Sequence, residues 1–127
     1  MSAHPKKIEN VLRLDAQSRC EYFLRKVADS EVVWSLFDQG WATASAGATT
    51  VVPFWPEEAF ATLCATDQWQ GFRPKAIALE DFLERWLPGM ANDQRSCAVF
   101  AAPSDRGTLM SPMDLEKLIR REREQYE

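Results

Sequence analysis

Residues 32–41, Val32-Val33-Trp34-Ser35-Leu36-Phe37-Asp38-Gln39-Gly40-Trp41, decide how this chain folds. Val32, Trp34 and Leu36 alternate with Val33, Ser35 and Phe37, which is the spacing of a strand. Both alternating sets are largely apolar, so the strand is expected to be covered on two faces and central in its sheet. Asp38-Gln39-Gly40 supplies a turn, Gly40 being suited to a left-handed position, into a second strand over Trp41-Ala42-Thr43-Ala44-Ser45.

The period on the N-terminal side of this stretch is that of helices. Ile8, Val11 and Leu12 share a face at i, i+3 and i+4. Asp15 can cap a second helix whose inward stripe is Ala16, Cys20, Phe23, Leu24 and Val27, with Arg19, Glu21, Arg25 and Lys26 left in water. The pair reads as an N-terminal helical hairpin lying on a sheet.

On the other side, Thr49–Phe54 reads as a strand. Pro53 has no amide hydrogen, so it predicts an edge or the strand's end. Pro56 fits the first turn of a helix, Glu57 and Glu58 complement its dipole, and Ala59, Phe60, Leu63 and Cys64 are its expected buried face. Pro74 introduces a strand over Lys75–Ala78. Glu80 and Asp81 open a helix with Phe82, Leu83, Trp86 and Leu87 inward, stopped at Pro88-Gly89. Arg95–Ala102 reads as a strand and Ser104-Asp105-Arg106-Gly107 as a hairpin turn into Thr108–Met110. Ser111-Pro112-Met113-Asp114 is a capping box. It starts a last helix held by Leu115, Leu118 and Ile119, whose charged end from Arg120 is expected to fray.

The predicted fold class is therefore α+β: a small, mixed, mainly antiparallel sheet of about five to six strands with about five helices packed on it. One domain over residues 1–127 is expected, with flexible tails at 1–5 and 121–127.

The bulk numbers suit one globular domain: 127 residues, 46% hydrophobic and 27% charged, with formal net charge −4. Charge is uneven, since residues 1–30 hold six of the 15 Lys and Arg but four of the 19 Asp and Glu. A mildly acidic body repels phosphate backbones, so nucleic acid is not an expected partner. No stretch approaches the ~20 apolar residues that cross a bilayer, and no apolar run follows Lys6 and Lys7 as in a signal peptide. A cytoplasmic protein without membrane attachment is expected. Cys20, Cys64 and Cys97 are widely spaced in apolar segments, as reduced core thiols would be.

Familiar chemistries lack their residues. The single histidine, His4, lies in the N-terminal tail, and the cysteines are scattered, so no metal site is expected. The same shortage leaves no base for a serine or cysteine nucleophile. Five glycines form neither a dinucleotide nor a nucleoside-triphosphate motif, so no cofactor is expected. Carboxylates at Glu57, Glu58, Glu80, Asp81 and Glu84 could form an acid–base pair if burial split their pKa values; otherwise they complement helix dipoles.

Five tryptophans and seven phenylalanines are the conspicuous feature. Trp34 and Trp86 fall in core periodicity. Trp41, Trp55 and Trp69 fall at a strand start, a strand–helix junction and a loop, where indoles are often half exposed. With Phe54 they are the candidate binding residues, the alternative being that all of them fill the core.

These segments resemble a bacterial family catalogued as domain of unknown function 2750. The likeness is carried by Glu21-Tyr22-Phe23 through Val27-Ala28-Asp29, Val33-Trp34, Gly40-Trp41-Ala42, Pro53-Phe54-Trp55-Pro56 and Leu63-Cys64-Ala65. It continues through Trp69, Pro74-Lys75-Ala76-Ile77, Leu79 to Leu87-Pro88-Gly89, and Ser111-Pro112. The family brings no assigned activity with it. Residues 51–60 also resemble the secretion-enhancer (SseB-like) proteins at the level of fold, with Trp55-Pro56 where small hydroxyl residues are expected there. Taken together, the expected function is a non-enzymatic protein-interaction module, an adaptor, an immunity-like protein or a homodimer. The alternatives are a small-ligand binder with an aromatic-lined pocket and an enzyme using acids such as Glu80 or Glu84 with Arg73 or Arg85.

Overall fold

The computed structural model describes residues 5–103 and 105–125. Expectations for residues 1–4, His4 among them, for Ser104 and for residues 126–127 lie outside these. Two helices, α1 (Pro5–Leu12) and α2 (Ala16–Ser30), lead into β1 (Val32–Phe37). Strands β2 (Ala44–Ala46) and β3 (Thr49–Phe54) follow, then α3 (Glu58–Leu63), a 3-10 turn (Asp67–Trp69) and β4 (Arg73–Ala78). Next come α4 (Leu79–Asp81), a π-helical turn (Phe82–Trp86) and α5 (Leu87–Asn92), which run on as one rod. β5 (Ser96–Val99), β6 (Thr108–Met110) and α6 (Pro112–Glu124) complete the chain. The fold is α+β with mostly antiparallel strands, as the sequence predicted.

The strands form two ladders, β1-β4 and β2-β3-β5-β6, in which only β3 and β5 run parallel. β1 joins the two. Its whole length pairs with β4, and its Trp34 exchanges both backbone bonds with Trp55, at 2.9 and 2.8 Å. Pro53 is the last residue but one of β3, beside the strand end that was expected, but it is not at a sheet edge. It lies inside β3, between β5 on one side and the meeting point of β1 and β2 on the other. Backbone groups alternate in direction along a strand, so Pro53 faces the same way as Trp55, toward β1. Leu36 finds no N–H there, and its carbonyl instead accepts from Ala42 at 2.9 Å. That bond folds residues 37–42 into a tight excursion, closed by the Phe37–Trp41 bridge, so β2 starts at Ala44 and not at Trp41. The Pro53 carbonyl is taken by the buried Ser35 hydroxyl at 2.7 Å.

Side-chain alternation divides the larger sheet into unlike faces. Val52, Phe54, Cys97 and Val99 point one way, and all are buried in the core with Phe23, Phe82 and Ile119. Asp15 caps α2 through Ser18, and Ser111 caps α6 through Asp114. Pro88 does not end its helix. The preceding turn widens so that the Leu87 N–H reaches back five residues to Phe82, and Pro88, with no N–H to donate, continues into α5. Leu63 is 39% exposed, and Ala61 takes its expected place in the core. α6 stays helical to Glu124, past the expected fraying point, with Arg120 held by Glu116 at 3.0 Å.

Replacing Ser35 by Ala leaves the buried Pro53 carbonyl without its donor and is expected to cost about 1–3 kcal/mol in urea unfolding. Gly89→Ala, which meets open space inside a helix, is expected to add about 0.5–1 kcal/mol. Equal urea midpoints for the two variants would contradict this.

Candidate functional site

The other face of the larger sheet carries small side chains. The register places Ala44 beside Val51, and Ala98 between Pro53 and Leu109. Alanine at two of these positions leaves a hollow, a cleft of about 630 Å³ whose floor includes Ala44, Val51, Ala98 and Leu109. One wall is the turn Thr66–Trp69. The other is formed by Ala101, Ala102, Pro103, Asp105 and Arg106.

That second wall is fastened at several points. The Ala101 carbonyl accepts from Trp55 Nε1 at 2.9 Å and from the Cys64 thiol at 3.5 Å. Asp105 and Ala102 exchange backbone bonds, both at 3.1 Å. Arg19 reaches across from α2, its Nη2 lying 2.6 and 2.7 Å from the two Asp105 carboxylate oxygens. Its remaining N–H groups donate to the carbonyls of Phe100 and Leu14 at 3.3 and 2.9 Å. Asp105 also accepts from the Gly107 amide at 2.8 Å. Gly107 has φ +75°, and a Cβ there would lie 2.3 Å from the Val99 carbonyl oxygen, so no other residue fits. On the first wall, Trp69 donates its Nε1 hydrogen to the Thr43 carbonyl at 3.1 Å and stands edge-on to Trp55, ring centroids 6.1 Å apart.

The four aromatic candidates do not form one exposed cluster: Trp55 and Trp69 touch, and Trp41 and Phe54 each meet Trp86. Trp69 is the indole that lines the cleft among the described residues. Trp55 is not half exposed as expected but fully buried, because its one polar atom finds a carbonyl inside and the whole ring can be withdrawn from water. Phe54 is fully buried on the core face, 4.8 Å edge-on from Phe82. Trp41 is half buried with Phe37 at 5.0 Å and Trp86 at 4.6 Å, apart from Trp69, beneath the Lys75 ammonium, 4.2 Å from the Phe37 ring.

Arg19 was expected in water and is 3% exposed. The signal was present: it lies three residues after Ala16 and four before Phe23, on the same stripe as Cys20. Asp105, its partner, read as one turn residue among several.

A second polar group joins α1, α2 and α3. The Tyr22 hydroxyl donates to Glu57 Oε2 at 2.6 Å, Lys7 Nζ donates to Oε1 at 2.9 Å, and Lys26 Nζ lies 3.8 Å from Oε1. Burial by itself would raise the Glu57 carboxyl. The Tyr22 and Lys7 hydrogen bonds and the two ammonium charges outweigh it and hold the group below its ordinary value. Glu57 therefore stays ionised, the opposite of what a general acid needs. Glu80, Asp81 and Glu84 are exposed, so the acid pair considered on that helix lacks the burial it required.

All three cysteines are buried and unpaired. Burial pushes Cys64 up to about 11 and Cys97 up to about 12. Among the described residues, no helix is long and apolar enough to cross a membrane.

An α+β domain with one sheet face in the core and the other hollowed under a pinned loop is thus the class of structure in hand. The chain belongs to the protein family of unknown function DUF2750, whose model matches residues 20–119. That span begins inside α2, just past Arg19, and takes in both walls of the cleft. No match is found among curated proteins or among solved structures, so the likeness to secretion-enhancer proteins gains nothing there.

Gly107→Ala is expected to cost about 3 kcal/mol or more, or to prevent folding, since the added Cβ meets backbone and not a movable side chain. A variant within about 1 kcal/mol of the parent in urea would contradict the pinned loop. The thiols give a pH dependence of known sign. In the unfolded chain they ionise near 9.0, and in the folded chain near 11 and 12. Between those values the unfolded state holds fewer protons, so their contribution is complete below pH 9 and falls as pH rises to 11–12. A Cys64→Ala, Cys97→Ala double variant is expected to show a shallower alkaline decline in urea stability; an unchanged slope would refute the assignment.

Proposed function

We propose that this protein is a binding protein, taking one small polar molecule into the cleft between residues 66–69 on one side and residues 101–103 with Asp105 and Arg106 on the other. The observation that carries this reading is the cleft itself. Its volume, about 630 Å³, lies in the range of small-molecule sites, and one wall is fixed by Arg19, Trp55 and Gly107 before any ligand arrives. A site already ordered loses little conformational entropy on binding. The adaptor, immunity-like or homodimer reading drew on the acidic charge, the missing catalytic groups and three indoles expected to be half exposed. Trp41 and Trp69 are half buried as it expected, but Trp55 lies in the core, so the aromatic surface it draws on is smaller and divided. The absence of nucleic acid and membrane among the partners, and a cytoplasmic setting, remain expectations from charge and hydropathy.

A thermal-shift screen against a broad metabolite library tests the reading. A ligand at a hundred times its Kd is expected to add about 2.7 kcal/mol. That corresponds to a Tm rise on the order of 10 °C for a domain of this size. The hit should also change the fluorescence of Trp69 and should lose affinity in Trp69→Ala. A flat response across the library would overturn the proposal.

A further inference from the structure

The polar groups around the cleft narrow the chemistry of what it holds; this step rests on the binding reading above. The Thr66 hydroxyl and the Gln68 amide line it beside Trp69. Neither side chain has a hydrogen-bond partner among the described residues, so each is free to meet a ligand. Each can both donate and accept, which is the pairing a ligand hydroxyl requires.

Charge in the cleft is balanced. Asp105 spends both carboxylate oxygens on Arg19, and that leaves Asp67 and Arg106, one of each sign. An anion such as a phosphate ester gains from Arg106 what it loses to Asp67, and a cation the reverse. A neutral molecule meets no such conflict.

The indole supplies the third element. Trp69 has already given its N–H to the Thr43 carbonyl, so what it can offer the cleft is ring surface. That bond and the edge-on contact with Trp55 hold the ring still, so little side-chain entropy is lost when something packs on it. A molecule that suits the whole site is uncharged, rigid and ring-shaped, with carbon–hydrogen surface on one face and hydroxyls around its edge. We propose that the cleft binds a neutral saccharide, one sugar ring lying against Trp69 with its hydroxyls bonded to the Thr66 and Gln68 side chains.

The test is isothermal titration of the full chain with two panels. The neutral panel is glucose, galactose, mannose, maltose and cellobiose; the charged panel is glucose 6-phosphate, glutamate, lysine and citrate. At least one neutral sugar is expected to bind with a change in tryptophan fluorescence. Its affinity should fall at least about tenfold in Trp69→Ala and in a Thr66→Val, Gln68→Ala double variant, one or more lost hydrogen bonds being worth that much. Thr66 and Gln68 are exposed, so the double variant decides the matter if Trp69→Ala does not fold. Binding by charged compounds alone, lost in the same variants, would overturn the saccharide while leaving the binding reading intact. Sugar binding that none of these substitutions weakens would overturn the placement in this cleft. Silence from both panels and from the metabolite library together would overturn both.

Discussion

The carbonyl oxygen of Ala101 accepts from the Trp55 indole and from the Cys64 thiol, and most of the molecule's shape follows from it. An indole can be fully withdrawn from water only if its N–H finds an acceptor inside. Ala101 provides that acceptor because the chain reverses at Phe100, whose φ is +56°, and runs back over the sheet. The reversal is an uncomfortable conformation for a phenylalanine. It is held by what surrounds it: the Arg19–Asp105 pair, the Ala102–Asp105 bridge and Gly107, packed against the backbone it faces. The cleft wall is thus a consequence of how the core is closed.

The same sheet does two jobs because its faces differ in side-chain size. Toward the helices it presents Val52, Phe54, Cys97 and Val99, which fill the interior. Toward the loops it presents Ala44, Val51 and Ala98, which leave a hollow. Trp55 stands at the end of that second face and joins it to β1 through Trp34, so the closing of the core and the depth of the cleft share one residue. The Lys7–Glu57–Tyr22 group ties the first helix to the start of α3, away from the residues that line the cleft.

Periodicity made much of the fold legible. The change from a spacing of 3.6 to 2 at Val32, the caps at Asp15 and Ser111, and the strand from Thr108 all lead to the observed elements, although β5 ends at Val99 and not at Ala102. Where the reading failed, a tertiary contact had changed the meaning of a local signal. Pro53 signals an edge only if its neighbour needs its N–H, and Leu36 has found Ala42 instead. Pro88 stops a helix unless the turn before it can widen. The site was less legible than the fold. Of Trp41, Phe54, Trp55 and Trp69, the last alone lines the cleft, because whether an indole at a junction is exposed depends on an acceptor 46 residues away. The floor of the cleft is made by alanines, whose contribution is the space they do not fill, and no residue-type motif marks that.

The proposed binding function rests on a rigid hollow and the groups around its rim. Its rigidity is the point on which everything else turns. Backbone ¹⁵N relaxation of the protein without ligand measures it at the Ala101, Ala102, Asp105 and Gly107 amides. Order parameters near ~0.85, equal to those of the sheet, are the expected result. Values below ~0.6 at these amides would mean a wandering loop and no standing cleft, and would contradict the account.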